Sequence, residues 1–184
     1  DAVKIIKKNH PEAKIVLGGP HVYKLTEETI KIKEIDYIIL GEGEKPLKEL
    51  LDNIHNARNL YNIKGIVFKD NNKTVNTGQQ ELIKDLDQLP FPARHLTPYQ
   101  KYTSVLAKKF PVTTMFTSRG CPFKCLFCDR PQLGKIFRAH SARYVVDEME
   151  ECQKMGIKEI FIYDDTFGVD KQRVLDICGE LTRR

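Results

Sequence analysis

Thr117-Ser-Arg-Gly-Cys-Pro-Phe-Lys-Cys-Leu-Phe-Cys-Asp-Arg130 is the stretch on which the reading of this chain turns, because it places Cys121, Cys125 and Cys128 within eight residues. Disulfides are disfavoured: the set is odd, the loops would be short and strained, and no secretory segment opens the chain. Metal is the better reading, since thiolates are soft ligands suited to zinc or to iron–sulfur clusters. Structural zinc closes its tetrahedron with a fourth Cys or His. The next histidine is His140, beyond Pro131 and Gly134, so Cys121, Cys125, Cys128 and His140 form the competing zinc set.

Spacing weighs more than the count. A four-iron cluster usually takes four cysteines, so three leave one iron open to a small molecule. With Ser-Arg-Gly before the first cysteine and Phe127 before the last, this run resembles the cluster loop of radical S-adenosylmethionine enzymes. The resemblance implies a 4Fe-4S cluster on Cys121, Cys125 and Cys128, with S-adenosylmethionine chelated at the open iron by its amino and carboxylate groups. One electron, from a reductant such as ferredoxin or flavodoxin, then breaks the S–C5′ bond to give methionine and a 5′-deoxyadenosyl radical. It also implies that the β-rich run Val112-Thr-Thr-Met-Phe116 is the first strand of a partial TIM barrel. Such a strand delivers the cysteine loop at its carboxyl end, where barrel active sites lie.

Downstream, Ser141 is placed to cap a helix reaching Met155, with Val145, Met149 and Cys152 on its inner face and Gly156 as its stop. A second strand, Lys158–Tyr163, ends in Asp164-Asp-Thr-Phe-Gly168. Another helix begins at Asp170, with Val174, Cys178 and Leu181 expected on its buried face, so both Cys152 and Cys178 read as packing. By the resemblance, Asp164 or Asp165 accepts a hydrogen bond from the S-adenosylmethionine ammonium, and Phe127 contacts the adenine. The plainer readings are a turn carboxylate for either aspartate and a core residue for Phe127. Arg119 reads as a brace for the loop, and Arg138 lies on the way into the first barrel helix.

Upstream, Lys14-Ile-Val-Leu17 and Ile35–Leu40 are short apolar runs that end in Gly18-Gly19-Pro20 and Gly41-Glu-Gly43-Glu44, the pattern of buried parallel strands feeding tight loops. Thr26 is a candidate cap for a helix running to about Lys33. Pro46 is placed to open a helix whose Leu47, Leu50, Leu51 and Ile54 share one face. Alternation of this kind predicts a parallel sheet whose ligands bind beyond the strands' carboxyl ends. Gly18-Gly-Pro-His21 with Asp36–Glu44 and Leu47…Leu50-Leu51 resembles the C-terminal part of the flavodoxin-like (Rossmann-like) cobalamin-binding domain that precedes many radical enzymes. On that resemblance Gly18, Gly19, Gly41 and Gly43 border cobalamin, while on the glycines alone they are simply tight turns. His21 reads as a turn or surface residue and not as a cobalt ligand.

Ile63–Lys69 and Lys73–Asn76 around Asp70-Asn-Asn72 predict a β-hairpin. Residues 78–106, with Pro90, Pro92 and Pro98, read as a tether between a first domain (1–77) and a second (107–184). Of 184 residues, 41% are hydrophobic and 30% charged, and the net charge of +5 comes from lysines scattered over helices. That balance describes a solvated surface rather than a nucleic-acid stripe, and no apolar run reaches membrane length. The expectation is a cytoplasmic protein. The chain opens on Asp1 with no initiator Met and closes inside a helical pattern at Leu181-Thr-Arg-Arg184, so it reads as an internal fragment of a larger enzyme. Cobalamin-dependent methyl transfer or rearrangement is the leading expectation. A methylthiotransferase-like enzyme without cobalamin and a non-enzymatic Fe-S or zinc module are the alternatives, and the substrate is not encoded in this stretch.

Overall fold

A computed structural model describes residues 1–71, 73–128 and 135–184. Asn72 of the expected hairpin turn and Pro131 and Gly134 of the cysteine loop lie outside them. The protein is α/β and divides into two units, one of Asp1–Ile83 and one of the described residues from Lys84 onward.

The first unit runs α1 (Ala2–Asn9), β1 (Val16–Leu17), α2 (Pro20–Lys24), α3 (Thr26–Ile30), β2 (Tyr37–Ile39), α4 (Glu44–Asn53), α5 (Ala57–Leu60), β3 (Ile66–Asp70) and β4 (Lys73–Asn76). The sheet order is β1-β2-β3-β4. Strand side chains alternate between faces, and here both faces are apolar. Ile38 and Val67 join Ile15, Val22, Ile30 and Ile35 on one side. Tyr37, Ile39, Ile66 and Phe68 meet Leu50, Leu60 and Ile63 on the other. Each fully buried Ile or Leu contributes roughly 1.5–3 kcal/mol, so this layering is what holds the short strands in register.

Three expectations change here. The sheet is mixed: β1 and β2 are parallel, with Val16 beside Tyr37, but β3 runs antiparallel to β2. The chain returns to the sheet at Gly65, whose carbonyl accepts from Leu40 N–H at 2.8 Å, so β3 starts at the end where β2 finishes. Thr26 is no cap; it lies inside α3, and its hydroxyl donates back to Val22 O at 2.6 Å. On α4 the inner line is Pro46, Leu50 and Ile54 at i, i+4 and i+8, which leaves Leu47 and Leu51 exposed.

The second unit contains β5 (Val112–Met115), β6 (Ser118–Arg119), β7 (Arg138–Ala139), α6 (Ala142–Lys154), β8 (Glu159–Ile162) and α7 (Lys171–Arg183). Ser141 caps α6, its Oγ accepting from Tyr144 N–H at 3.1 Å, and Asp170 caps α7 through Arg173 N–H at 3.0 Å. β5 and β8 pair in parallel, Val112 with Glu159 through Met115 with Ile162. Met115, Val145, Val146 and Ile177 form the core, with Ile160 and Phe167 against them. Cys152 is buried in α6, where burial pushes its thiol pKa up. Cys178 is exposed, contrary to expectation. The inner line of α7 is Arg173 and Ile177, about 100° around the helix from Val174 and Cys178.

The stretch 78–106 also differs from a tether. Residues up to Ile83 stay with the first unit, where buried Glu42 accepts from Ile83 N–H at 2.7 Å. From Lys84 the chain makes three 3-10 turns and is bound into the second unit. Asp87 accepts from Ser141 N–H at 3.0 Å, Tyr144 OH donates to Leu89 O at 3.0 Å, and Tyr99 OH donates to Met155 O at 3.1 Å. Arg94 reaches Glu148 at 2.6 Å, Thr113 Oγ1 at 3.2 Å and Thr114 O at 3.1 Å. Prolines keep the segment out of helix and strand, which gives it the composition of a tether, but its polar side chains anchor it. Among the described residues no helix is long and apolar enough to cross a membrane.

Candidate functional site: the cysteine loop

Parallel register brings the site together. Met115 pairs with Ile162, so the residue two beyond β5, Thr117, arrives beside the residue two beyond β8, Asp164. The carboxylate takes four donors there. Oδ1 accepts from Thr117 N–H at 2.6 Å and Ser118 N–H at 3.0 Å, and Oδ2 accepts from the Thr117 hydroxyl at 2.6 Å and the Ser118 hydroxyl at 2.7 Å. Ser118–Arg119 then pairs antiparallel with Arg138–Ala139, closing the base of the loop, and His140 N–H donates to Thr117 O at 3.0 Å. Gly120, at φ +79°, turns the chain out of β6 into the cysteine run, a conformation that explains the glycine of Ser-Arg-Gly.

Beyond this neck the three cysteines lie on one loop. Cys121 is half-buried, with Sγ 3.6 Å from Thr166 Oγ1 on the turn after β8, while Cys125 and Cys128 are exposed and joined by a turn, Cys128 N–H to Cys125 O at 3.1 Å. Among the described residues no group of three or more Cys, His, Asp or Glu side chains already converges as a metal site. The donor chemistry nonetheless fits a cluster: three thiols on one loop whose two ends are fixed.

Phe127 is 93% exposed, so it is not core, and its ring is available to a ligand. Asp165 is exposed, and no side-chain partner holds it among the described residues. Asp164 has its acceptor positions filled by the loop, which gives it the role of a brace. Arg119 lies in the β6 ladder and Arg138 is buried in β7. His140 is buried below the neck. Its Nδ1 lies 3.1 Å from Asp87 Oδ1, and its ring stacks on Tyr144 with centroids 3.9 Å apart. Among the described residues His140 joins no group of three or more potential metal ligands, so the zinc set is not assembled here. Burial lowers the His140 pKa despite the upward pull of Asp87, and burial also pushes Tyr144 up to about 12.

In the first unit Gly18 and Gly19 follow β1 and Gly41 and Gly43 follow β2, and because these strands are parallel both turns lie at one end of the sheet. Gly19 and Gly41 have φ of +99° and +76°, and a Cβ on either would meet nothing within 4 Å. A Cβ at Gly18 would come no closer than 3.8 Å to Ile39 O, and one at Gly43 would be 3.8 Å from Ile39 Cγ2. The protein therefore leaves open space beside Gly19 and Gly41, while a methyl at Gly18 or Gly43 would make ordinary contact with Ile39. His21 is exposed on α2, consistent with a surface residue.

Sequence reasoning passed over Thr117, Ser118, Asp87, Thr166 and Arg173. Only the register of β5 against β8 reveals the first two, and no motif marks the rest.

A parallel βα unit that presents a three-cysteine loop at its carboxyl end defines a class of cluster-binding α/β protein. Residues 115–184 match the Radical SAM superfamily. An uncharacterized methyltransferase of Pyrococcus horikoshii is 40% identical over 177 residues, covering 95% of this chain and 38% of that protein. The anaerobic magnesium-protoporphyrin IX monomethyl ester cyclase of Cereibacter sphaeroides is 27% identical over 192 residues, covering 100% of this chain and 31% of that one. The structure of the radical S-adenosylmethionine methyltransferase TsrM of Kitasatospora setae, with cobalamin and a 4Fe-4S cluster bound, superposes with a TM-score of 0.70 at 22% identity, over 100% of this chain and 36% of that chain. Residues 115–184 thus carry the radical S-adenosylmethionine domain, and the chain shares, along its length, the fold of that cobalamin-bound structure. It spans about a third of the length of these relatives.

Proposed function

We propose that this chain carries the cofactor-binding part of a cobalamin-dependent radical S-adenosylmethionine enzyme that performs methyl transfer or rearrangement. In this reading the first unit is the C-terminal part of a flavodoxin-like cobalamin domain and the second begins a partial TIM barrel. The observation that carries the reading is the loop itself: Cys121, Cys125 and Cys128 presented beyond a fixed neck at the carboxyl end of β5. Relatives that combine this sequence with methyltransferase and cyclase names support the range of outcomes.

Cys121, Cys125 and Cys128 hold a 4Fe-4S cluster as thiolates. When bound, the cluster supplies one electron to S-adenosylmethionine and cobalamin supplies methyl-carrying chemistry. The protein's own residues bind and orient. Asp165 accepts from the S-adenosylmethionine ammonium, Phe127 offers a ring face to the adenine, and Asp164 fixes the loop entry. Gly18, Gly19, Gly41 and Gly43 admit the cobalamin tail close to backbone. Electrons come from a one-electron reductant of the ferredoxin or flavodoxin type, the partner substrate is a small molecule or peptide, and the setting is cytoplasmic.

Iron and sulfide analysis of the anaerobically purified full-length protein tests the reading, with Cys125→Ala beside it. The expected result is about four irons per chain in the wild type and loss of the visible cluster absorbance in the variant. Zinc in place of iron, or a full cluster retained by Cys125→Ala, overturns it.

A further inference from the structure

Arg173 projects from the inner line of α7 and is 8% exposed. Its Nε donates to His140 O at 2.9 Å and its Nη2 to Thr117 O at 2.7 Å. These two carbonyls belong to the residue that enters the cysteine loop and the residue that leaves it. Thr117 is wholly buried and is held from two sides: Asp164 takes its N–H and hydroxyl, and Arg173 takes its C=O. The guanidinium also lies 5.8 Å from the centre of the Phe167 ring, while its Nη1 is buried without a hydrogen-bond partner. Burying a guanidinium with one donor unsatisfied is costly, and an apolar side chain would fill the same space without that cost. What an apolar residue lacks is a planar fork able to bind the carbonyls at both ends of the loop at once.

We propose that Arg173 is a positioning residue for the cysteine loop, setting the separation of its two ends so that Cys121, Cys125 and Cys128 close on one cluster. This rests on the cluster reading above. Arg173 acts through Thr117 and His140 and touches no reacting atom. Arg173→Lys keeps the charge but cannot span both carbonyls, so the loop ends lose their common anchor while the core of Met115, Val145, Val146 and Ile177 is kept.

The test uses the full-length holoenzyme, anaerobically loaded with iron and sulfide. Three quantities are compared in wild type and Arg173→Lys: iron loss to a chelator, the electron paramagnetic resonance spectrum of the reduced cluster, and amide exchange at His140 and in α6. The expected result is iron loss about tenfold faster, the change that follows from loss of one charge-assisted hydrogen bond. An altered resonance line shape and faster exchange at His140 should accompany it, with exchange in α6 unchanged. Arg173→Met should lose iron faster still; if it fails to fold, the lysine variant decides alone. Iron retention and a spectrum equal to wild type in Arg173→Lys overturn the inference, whatever the amides do. If the wild-type protein takes up no iron, the cluster reading itself falls, and the positioning role with it.

Discussion

Asp164→Asn separates the scaffold of the loop from its chemistry. The carboxylate accepts four hydrogen bonds, two from backbone amides on Oδ1 and two from hydroxyls on Oδ2. An asparagine can keep its oxygen toward Thr117 N–H and Ser118 N–H, while the two hydroxyls rotate to accept from its NH2. Geometry is then retained and charge assistance is lost. Hydrogen bonds to charged groups are worth roughly 1.5–3 kcal/mol against roughly 0.5–1.5 for neutral ones, so four such losses, allowing for non-additivity, destabilise the second unit by about 2–4 kcal/mol. Asp164→Ala leaves two buried backbone donors unpaired and should cost more. The chain has no tryptophan, so the assay is hydrogen exchange resolved to α6 and β8, read beside circular dichroism in denaturant. A change in the exchange free energy of these elements below about 0.5 kcal/mol, the range of a neutral surface substitution, would show that Asp164 does not brace the neck.

Asp165→Asn should do the opposite, weakening S-adenosylmethionine binding by about one to two orders of magnitude in calorimetric titration of the loaded full-length protein without moving stability; unchanged affinity would leave it a turn residue. Gly43→Ala and Gly18→Ala are the tests for cobalamin. Neither position requires a positive φ and each new methyl reaches only to 3.8 Å, so stability should change by no more than about 1 kcal/mol. Cobalamin retention should fall if a ligand approaches the backbone of these turns, and normal retention in both variants would make the glycines turns alone. Stability of the second unit should depend on pH in a set direction. Burial lowers the folded pKa of His140 below its usual 6.5, so the neutral ring is favoured and its contribution, complete above pH 6.5, is lost as pH falls through the lowered value. For Asp87, burial pulls upward but hydrogen bonds from Ser141 and His140 outweigh it, so its contribution holds above 3.8 and is lost only as pH falls further. Greater α6 protection at pH 5.5 than at pH 7.5 would refute this sign.

The elements of the second unit were legible because their signals are local: Ser141 and Asp170 cap the helices that follow them, and Val112–Met115 and Glu159–Ile162 are runs bounded by turns. The cysteines were legible for the same reason, as one loop carries all three. What was hidden depends on residues distant in sequence. Asp164 looked like a ligand acceptor until strand register placed Thr117 and Ser118 against it. The direction of β3 followed from where Gly65 re-enters the sheet, which no periodicity records. The facing of α7 that buries Arg173 and exposes Cys178 was obscured because the sequence offers apolar residues on adjacent helix lines.

The anchoring of residues 84–102 bears on where this chain can be cut. A recombinant second unit begun at residue 107, where the strand pattern invites it, would discard Arg94 and leave Glu148, 3% exposed, as a buried charge without its partner. Removing one member of such a pair typically costs about 3–5 kcal/mol, a large share of the stability of a small unit. Dividing the chain between Ile83 and Lys84 severs neither that ion pair nor the Asp87 bonds at the head of α6. Recombination of this domain with other partners, in the laboratory or over evolutionary time, would therefore carry the proline-rich segment along as part of the inherited piece.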